Sequence, residues 1–281
     1  KLFIIIILAK YFEDKKGLKN ISDMFFAFVI VGVPFFLIFK QPDLGTALVF
    51  LAITVGMILW AQDNPVVLIF LLTPVISAML CFTWLLWIPY LIILVLFIYL
   101  LRVKLMDFLS VFGANLITGL LIPFAWFFLK DYQKQRLLIF LNPSSDPYGA
   151  GYHTIQSQIA IGAGGIFGRG YLHGTQTQLQ FIPQQWTDFI FSVIGEEFGM
   201  IGSVLVIMLF AILIWRAIVI AENAADFYGS LLAIGIAAMF AFHMAVNIAM
   251  TLGIAPVVGI PLPFISYGGT SLVMNMSAIG I

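Results

Sequence analysis

Long apolar runs broken by short polar turns follow one another along the chain, near 1–12, 21–39, 44–61, 65–81, 84–101, 107–130, 189–217, 228–251 and 268–281. Crossing a bilayer takes roughly 20 apolar residues, so the pattern predicts about nine crossings, the first and last partial. Backbone groups in hydrocarbon must find partners within their own segment, so runs of this length are helices. The alternation of a membrane β-barrel is absent. The expected fold class is all-α, a polytopic transmembrane helical bundle. The chain opens inside an apolar run, Lys1 to Phe12, and stops at Ile281 inside another. The expectation is therefore one membrane domain over 1–281, with N-terminal helices and a C-terminal end missing.

One segment breaks the hydrophobic background. Residues 131–187 form a long loop rich in Gln, Gly, Asp and Tyr. Loops of that length in a compact protein are functional or disordered. Apolar residues spaced among the polar ones (Tyr152, Ile155, Ile159, Ile161) predict a short interfacial helix within it. A disordered linker is poorer in aromatic and aliphatic residues, so the loop is expected to be ordered.

Composition sharpens the class. Hydrophobic residues make up 62% of the chain and charged ones only 9%, against roughly 25% charged in soluble domains. A soluble chain of this length would need a charged surface that is missing here. The formal net charge is zero, which leaves no nucleic-acid footprint. A single cysteine, Cys81, excludes an intramolecular disulfide. Lys10, Lys15, Lys16, Lys19, Arg102, Lys104 and Arg216 fall on one side of the predicted topology, read as cytoplasmic. Lys40, Lys130, Lys134, Arg136 and Arg169 fall on the other, most of them in the long loop, which is thereby extracytoplasmic. Trp60, Trp84, Trp87 and Trp126 lie near predicted helix ends, as an interfacial belt places them.

Four places carry candidate chemistry. In Trp186-Thr187-Asp188-Phe189 the loop re-enters the membrane, which puts Asp188 at a helix N-terminus. Capping is the commoner use of Asp and Thr there; a carboxylate base beside lipid head groups is the functional alternative. Glu196 and Glu197 follow two turns further along the same predicted helix, roughly 12 Å below Asp188. At that depth charges face a cavity or a partner, or one of the acids is protonated. Gln41-Pro42-Asp43-Leu44-Gly45 is a tight turn in which Asp43 caps the next helix on the simplest reading. The glycine cluster from Gly162 to Gly170 lacks the spacing of a nucleotide loop and reads as tight turns or close backbone approach. His153, His173 and His243 have no metal-ligand company, so no metal site is expected.

The motifs together resemble one family. Asp146-Pro147-Tyr148-Gly149-Ala150-Gly151-Tyr152-His153, Gly164-Gly165-Ile166-Phe167-Gly168-Arg169-Gly170, His173-Gly174-Thr175-Gln176 and Thr187-Asp188-Phe189 are similar to the long outer loop of the SEDS proteins (shape, elongation, division, sporulation). Gln41-Pro42-Asp43-Leu44-Gly45-Thr46, Asp131-Tyr132-Gln133 through Arg136, Glu196-Glu197 and Pro263-Phe264-Ile265-Ser266-Tyr267-Gly268-Gly269 match as well. The Gly-Gly and His-Gly-Thr-Gln elements look like the elongation members, the RodA type. Two departures stand out. Residues 65–101 look like an added helical hairpin, and Trp186 stands where the family often has His.

The resemblance implies a peptidoglycan glycosyltransferase of the bacterial cytoplasmic membrane that polymerises lipid II on the outer side and releases undecaprenyl diphosphate. It makes Asp188 the essential carboxylate, and it puts Asp43, Gln41, Arg136, Thr187 and Glu196 at substrate-binding positions. A positioned carboxylate that takes a sugar hydroxyl's proton contributes roughly 10²–10⁴-fold. Arg136, or a divalent cation (Mg or Mn), is expected to steady the diphosphate leaving group. The implied partners are a class B penicillin-binding protein, which supplies the transpeptidase, and elongation-complex membrane proteins. Two rival readings remain at this point, a lipid II flippase, for which the Glu196-Glu197 pair would serve, and a scaffold without activity.

Overall fold

The computed structural model describes residues 1–18, 21–41, 43–62, 66–101, 103–128, 134, 139–140, 151–179, 181 and 184–281. Among these residues helices stand at all nine predicted runs: α1 (Leu2–Asp14), α2 (Ile21–Lys40), α3 (Leu44–Ala61), α4 (Val66–Leu80), α5 (Trp84–Leu100), α6 (Leu105–Phe128), α9 (Ile190–Glu222), α10 (Phe227–Thr251) and α11 (Gly269–Ile279). Two more, α7 (Tyr152–Gly164) and α8 (Thr175–Gln178), lie in the polar loop, so the part of it that is described is folded. No strand occurs among the described residues, only an isolated bridge between Leu18 and Gln62.

Among the described residues five helices, α2, α3, α6, α9 and α10, are long and apolar enough to cross a membrane. The helices α4 and α5 are apolar but shorter. Prolines sit inside α2, α4, α5 and α6 at Pro34, Pro74, Pro89 and Pro123. Membrane helices tolerate such breaks because neighbours re-satisfy the freed backbone groups.

The main core gathers α1, α2, α3 and α10 around Leu8, Phe12, Ile53, Met57, Leu231 and Phe240. Lipid offers no hydrophobic drive for helices to associate, so close contact depends on small residues. Gly56 of α3 lies against Ala238 of α10, and Gly235 of α10 lies against Ile5 of α1. α3 and α10 are thus central, each half buried, whereas the spans in α2, α6 and α9 are only 17% buried.

The helices α4, α5 and α6 form a second cluster, joined through polar side chains. Ser77 donates to the Asn115 carbonyl at 2.9 Å, and the Trp87 indole donates to Ser77 Oγ at 2.8 Å. Asn115 Nδ2 donates to Thr73 Oγ1 at 2.8 Å. Trp87 therefore does not belong to an interfacial belt as expected: it is buried, stacked over Gly119 of α6.

Candidate active site

The chain enters α9 through a tight loop built on Gln184. This residue takes a left-handed backbone conformation, φ 60°, and its carbonyl accepts from the N–H groups of Thr187 (3.1 Å) and Phe189 (3.4 Å). The Thr187 hydroxyl turns back to Gln184 Oε1 at 3.0 Å. α9 starts at Ile190 with Phe189 in the cap position, and that side chain supplies no cap bond. Asp188 therefore sits one residue before the cap, half buried, rather than in the helix itself.

Three consecutive carbonyls of this loop are each held by a different donor. Tyr267 N–H donates to Trp186 O at 2.8 Å, Ser266 Oγ to Thr187 O at 2.6 Å, and Asn247 Nδ2 to Asp188 O at 2.9 Å. Asn247 is completely buried in α10, and its amide also donates to Ile260 O at 2.7 Å. The loop after α10 returns beneath Asp188. There a Cβ on Gly259 would stand 3.5 Å from Asp188 Oδ2, ordinary van der Waals contact, so it is the left-handed φ of +72° that favours glycine at this position. Phe264, at φ 65°, is a second non-glycine residue in this region of backbone space. Such strain persists where the surrounding structure over-determines it.

The Gln41–Thr46 turn packs on the same ridge. A Cβ on Gly45 would come 2.6 Å from Val258 O and 2.9 Å from Ile260 Cγ1. Asp43 caps α3, its Oδ1 accepting from Thr46 N–H at 2.9 Å, and it is exposed beside Gln41. The turn that carries Gln41 and Asp43 and the loop that carries Asp188 thus both pack on residues 258–260, through Gly45 and Gly259. Arg136 lies outside the described residues.

Glu196 is used elsewhere in the same assembly. Its buried carboxylate accepts from Gln176 N–H (2.8 Å) and Thr177 N–H (3.0 Å), and from the Thr175 hydroxyl at 3.3 Å. The partner that the sequence left open is thus the N-terminal end of α8. α9 breaks at Gly199 (φ 65°, ψ −158°), just after the two carboxylates. The glycine-rich loop fills that break. Arg169 and Gly170 donate to the carbonyls of Glu196 and Glu197, both at 3.0 Å, while Met200 and Ile201 donate to Gly165 O (2.9 Å) and Ile166 O (3.2 Å). Gly164, Gly168, Gly195 and Gly199 leave no room for side chains along this seam, as close backbone approach requires.

α7 presents small residues, Thr154, Ser157, Ala160 and Gly164, to its neighbours. Ser157 Oγ bonds Ser192 Oγ and the Thr251 carbonyl, both at 2.6 Å. The His153 ring stacks 6.0 Å from Phe189, and its burial lowers the imidazole pKa below the usual 6.5.

A basic pair, the buried His243 of α10 and the half-buried Lys1 before α1, lies one turn from Asn247. His243 Nδ1 faces the Met239 carbonyl at 2.8 Å, which can only accept, so Nδ1 carries the proton. Nε2 is then the acceptor for the Lys1 ammonium at 3.0 Å, which Asp43 reaches electrostatically. Reading the sequence did not mark Lys1, Asn247 or Ser266 as site residues, although Ser266 lies in the Pro263–Gly269 motif. Among the described residues no group of three or more His, Cys, Asp or Glu side chains gathers.

These features define a class: a multi-helix membrane protein whose polar loop folds back to fix one carboxylate at the end of its bundle. The chain belongs to the FtsW/RodA/SpoVE family of cell cycle proteins, whose model matches residues 1–90 and 83–281. The two matched segments meet inside α5, within the hairpin that looked added. The chain is 49% identical over 169 residues to the peptidoglycan glycosyltransferase MrdB of Escherichia coli K12, covering 60% of this chain and 46% of that protein. It is 40% identical over 318 residues to the peptidoglycan glycosyltransferase RodA of Treponema pallidum, covering 100% of this chain and 72% of the relative. Stage V sporulation protein E of Bacillus subtilis is 35% identical over 285 residues, 100% of this chain and 65% of that one. The chain spans about half the length of the first of these relatives. A chain in a solved peptidoglycan synthase complex, described as coordinating polymerization and crosslinking, superimposes with a TM-score of 0.65 at 27% identity, covering 99% of this chain and 65% of that chain.

Proposed function

We propose that the whole protein is a lipid II polymerase of the bacterial cytoplasmic membrane, acting in cell elongation, with Asp188 as its general base. The observation that carries this is the threefold clamp on carbonyls 186 to 188, which holds one half-buried carboxylate at a fixed place. Preorganisation of this kind is what a positioned base needs. The relatives named peptidoglycan glycosyltransferases support the substrate class.

In this reading the nine apolar helices cross or enter the bilayer, and residues 43, 188 and 251 face its outer side. Asn247 stands roughly 30 Å along α10 from Phe227, about the thickness of the hydrocarbon layer. Asp188, held by Asn247, then lies at the outer boundary, where a substrate tethered by its lipid tail can reach it. The part of α9 beyond Gly199 is itself long enough to cross, so Glu196 and Glu197 stand at the same boundary. There Glu196 serves the site through the loop segment 174–177 that it holds.

Asp188 takes the proton of the GlcNAc 4-hydroxyl of one lipid II as that oxygen bonds to the anomeric carbon of MurNAc in another. The anomeric carbon–phosphate oxygen bond breaks, and its electron pair leaves with undecaprenyl diphosphate. The Lys1 ammonium, oriented by His243, and Arg136 are the side-chain cations proposed to steady that charge. A Mg or Mn ion would supply the same Lewis-acid help, and the exposed Asp43 carboxylate is the oxygen donor this end of the bundle offers. A class B penicillin-binding protein is the proposed crosslinking partner, in keeping with the two activities of the similar complex. Other membrane proteins of an elongation complex would gather on the apolar outer faces.

The test is lipid II polymerisation by the full-length protein purified with its partner. Wild type should make long glycan strands, and Asp188→Asn should lose at least 10²-fold in rate while remaining folded. Polymer from both at the same rate would remove Asp188 as the base. If neither made polymer, lipid II flipping in vesicles would become the leading activity.

A further inference from the structure

We infer that Asn247 is a positioning residue for the reaction, setting the place of the Asp188 carboxylate through the backbone; this rests on the general-base reading above. Asn247 is fully buried in α10, where a polar side chain carries a desolvation cost and needs a reason to be present. Both hydrogens of its amide are committed, one to Asp188 O at 2.9 Å and one to Ile260 O at 2.7 Å. These two carbonyls lie far apart in the chain, on the loop that carries the carboxylate and on the ridge beneath it. A single planar NH₂ group therefore fixes the distance between them.

That distance matters because of what lies on either side. Gly259, next to Ile260, sits against Asp188 Oδ2, and Gly45 of the Gln41–Thr46 turn packs directly on Val258 and Ile260. Asn247 thus ties three segments into one rigid unit, those bearing Asp188, Gly259 and Asp43. Ser266 and Tyr267 hold the two preceding carbonyls, and Asn247 holds the carbonyl of the residue that carries the base. Its Oδ1 is buried with no donor among the described residues, so the side chain is retained for the two bonds it donates.

Asn247→Asp keeps the shape and replaces the donor NH₂ by an acceptor facing two carbonyls. Asn247→Ser keeps one short donor. In the full-length protein with its partner, Asn247→Asp should lower kcat for lipid II polymerisation by about 10²-fold, the cost of roughly 1 Å of misplacement. KM should stay within about twofold, since substrate binding does not use this bond. Asn247→Ser should recover part of the lost kcat. In an Asp188→Asn background, Asn247→Asp should add little further loss, because both changes remove the same function. A purely structural residue would instead lower the melting temperature and the yield of folded complex while leaving kcat per folded molecule at the wild-type value.

Wild-type kcat in folded Asn247→Asp, or a full additional loss in the Asp188→Asn background, would overturn the positioning role. These outcomes are distinct from failure of the base reading, which shows as wild-type rate in Asp188→Asn alone.

Discussion

Both oxygens of the buried Glu196 carboxylate are occupied by N–H groups from a segment about twenty residues earlier in the chain. An ionised carboxylate accepts on either oxygen, and bonds to a charged acceptor are about twice as strong as neutral ones. Glutamine has the same shape but only one accepting oxygen, so Glu196→Gln turns an NH₂ against the N–H of Gln176 or Thr177. The expected cost is about 1–3 kcal/mol of local stability. Hydrogen exchange across residues 174–179 should rise correspondingly, with little change in α10. Unchanged exchange there would mean that the loop is held by other contacts, Arg169 to Thr175 at 2.7 Å foremost.

At the scale of elements, docking of α7 onto α9 and α10 depends on His153. Burial lowers its pKa in the folded protein below 6.5, so the unfolded or undocked state binds more protons as pH falls. The docked state is then fully stable above about pH 6.5 and loses stability as pH drops toward the lowered value. Melting curves between pH 7.5 and 5 should show this acid-side slope, and His153→Gln should flatten it; an unaltered slope in that variant would assign the effect to other groups. The nine apolar runs were legible because membrane-spanning length is written in hydrophobicity alone. Packing was not, because contacts here run through small residues such as Ser157, Ala160, Gly56 and Ala238, which carry almost no hydropathy signal. The break at Gly199 escaped for a related reason: a glycine in an apolar helix is common, and only the loop inserted beside it reveals the interruption. Asp188 stood out only through motif resemblance, since a carboxylate at the start of a helix more often reads as a cap. Asn247 gave no local signal, because its two acceptors come from distant segments.

The whole molecule divides unevenly. α1, α2, α3, α10 and the loop packed on α9 share the cores that hold Asp188, whereas α4, α5 and α6 pack mainly on one another, with α4 against α3 as their main link to the rest. Asn115 is the centre of the smaller unit: it donates to Thr73 Oγ1 (2.8 Å) and Val111 O (2.9 Å) and accepts from Tyr90 OH at 3.1 Å. In hydrocarbon an interhelical bond contributes about 0.6 kcal/mol, at most roughly 1.7. Removing this side chain with Asn115→Ala should therefore cost the unit about 1–3 kcal/mol. None of its bonds reaches the segments around residues 188, 247 or 259, so the loss should stay local. Hydrogen exchange should increase over residues 66–128 while protection of the 184–189 loop and the polymerisation rate of the full-length protein hold at wild-type values. A fall in rate that tracks the loosening of α4–α6 would instead show that this hairpin unit is coupled to the site through α3, the helix whose first turn carries Asp43 and Gly45.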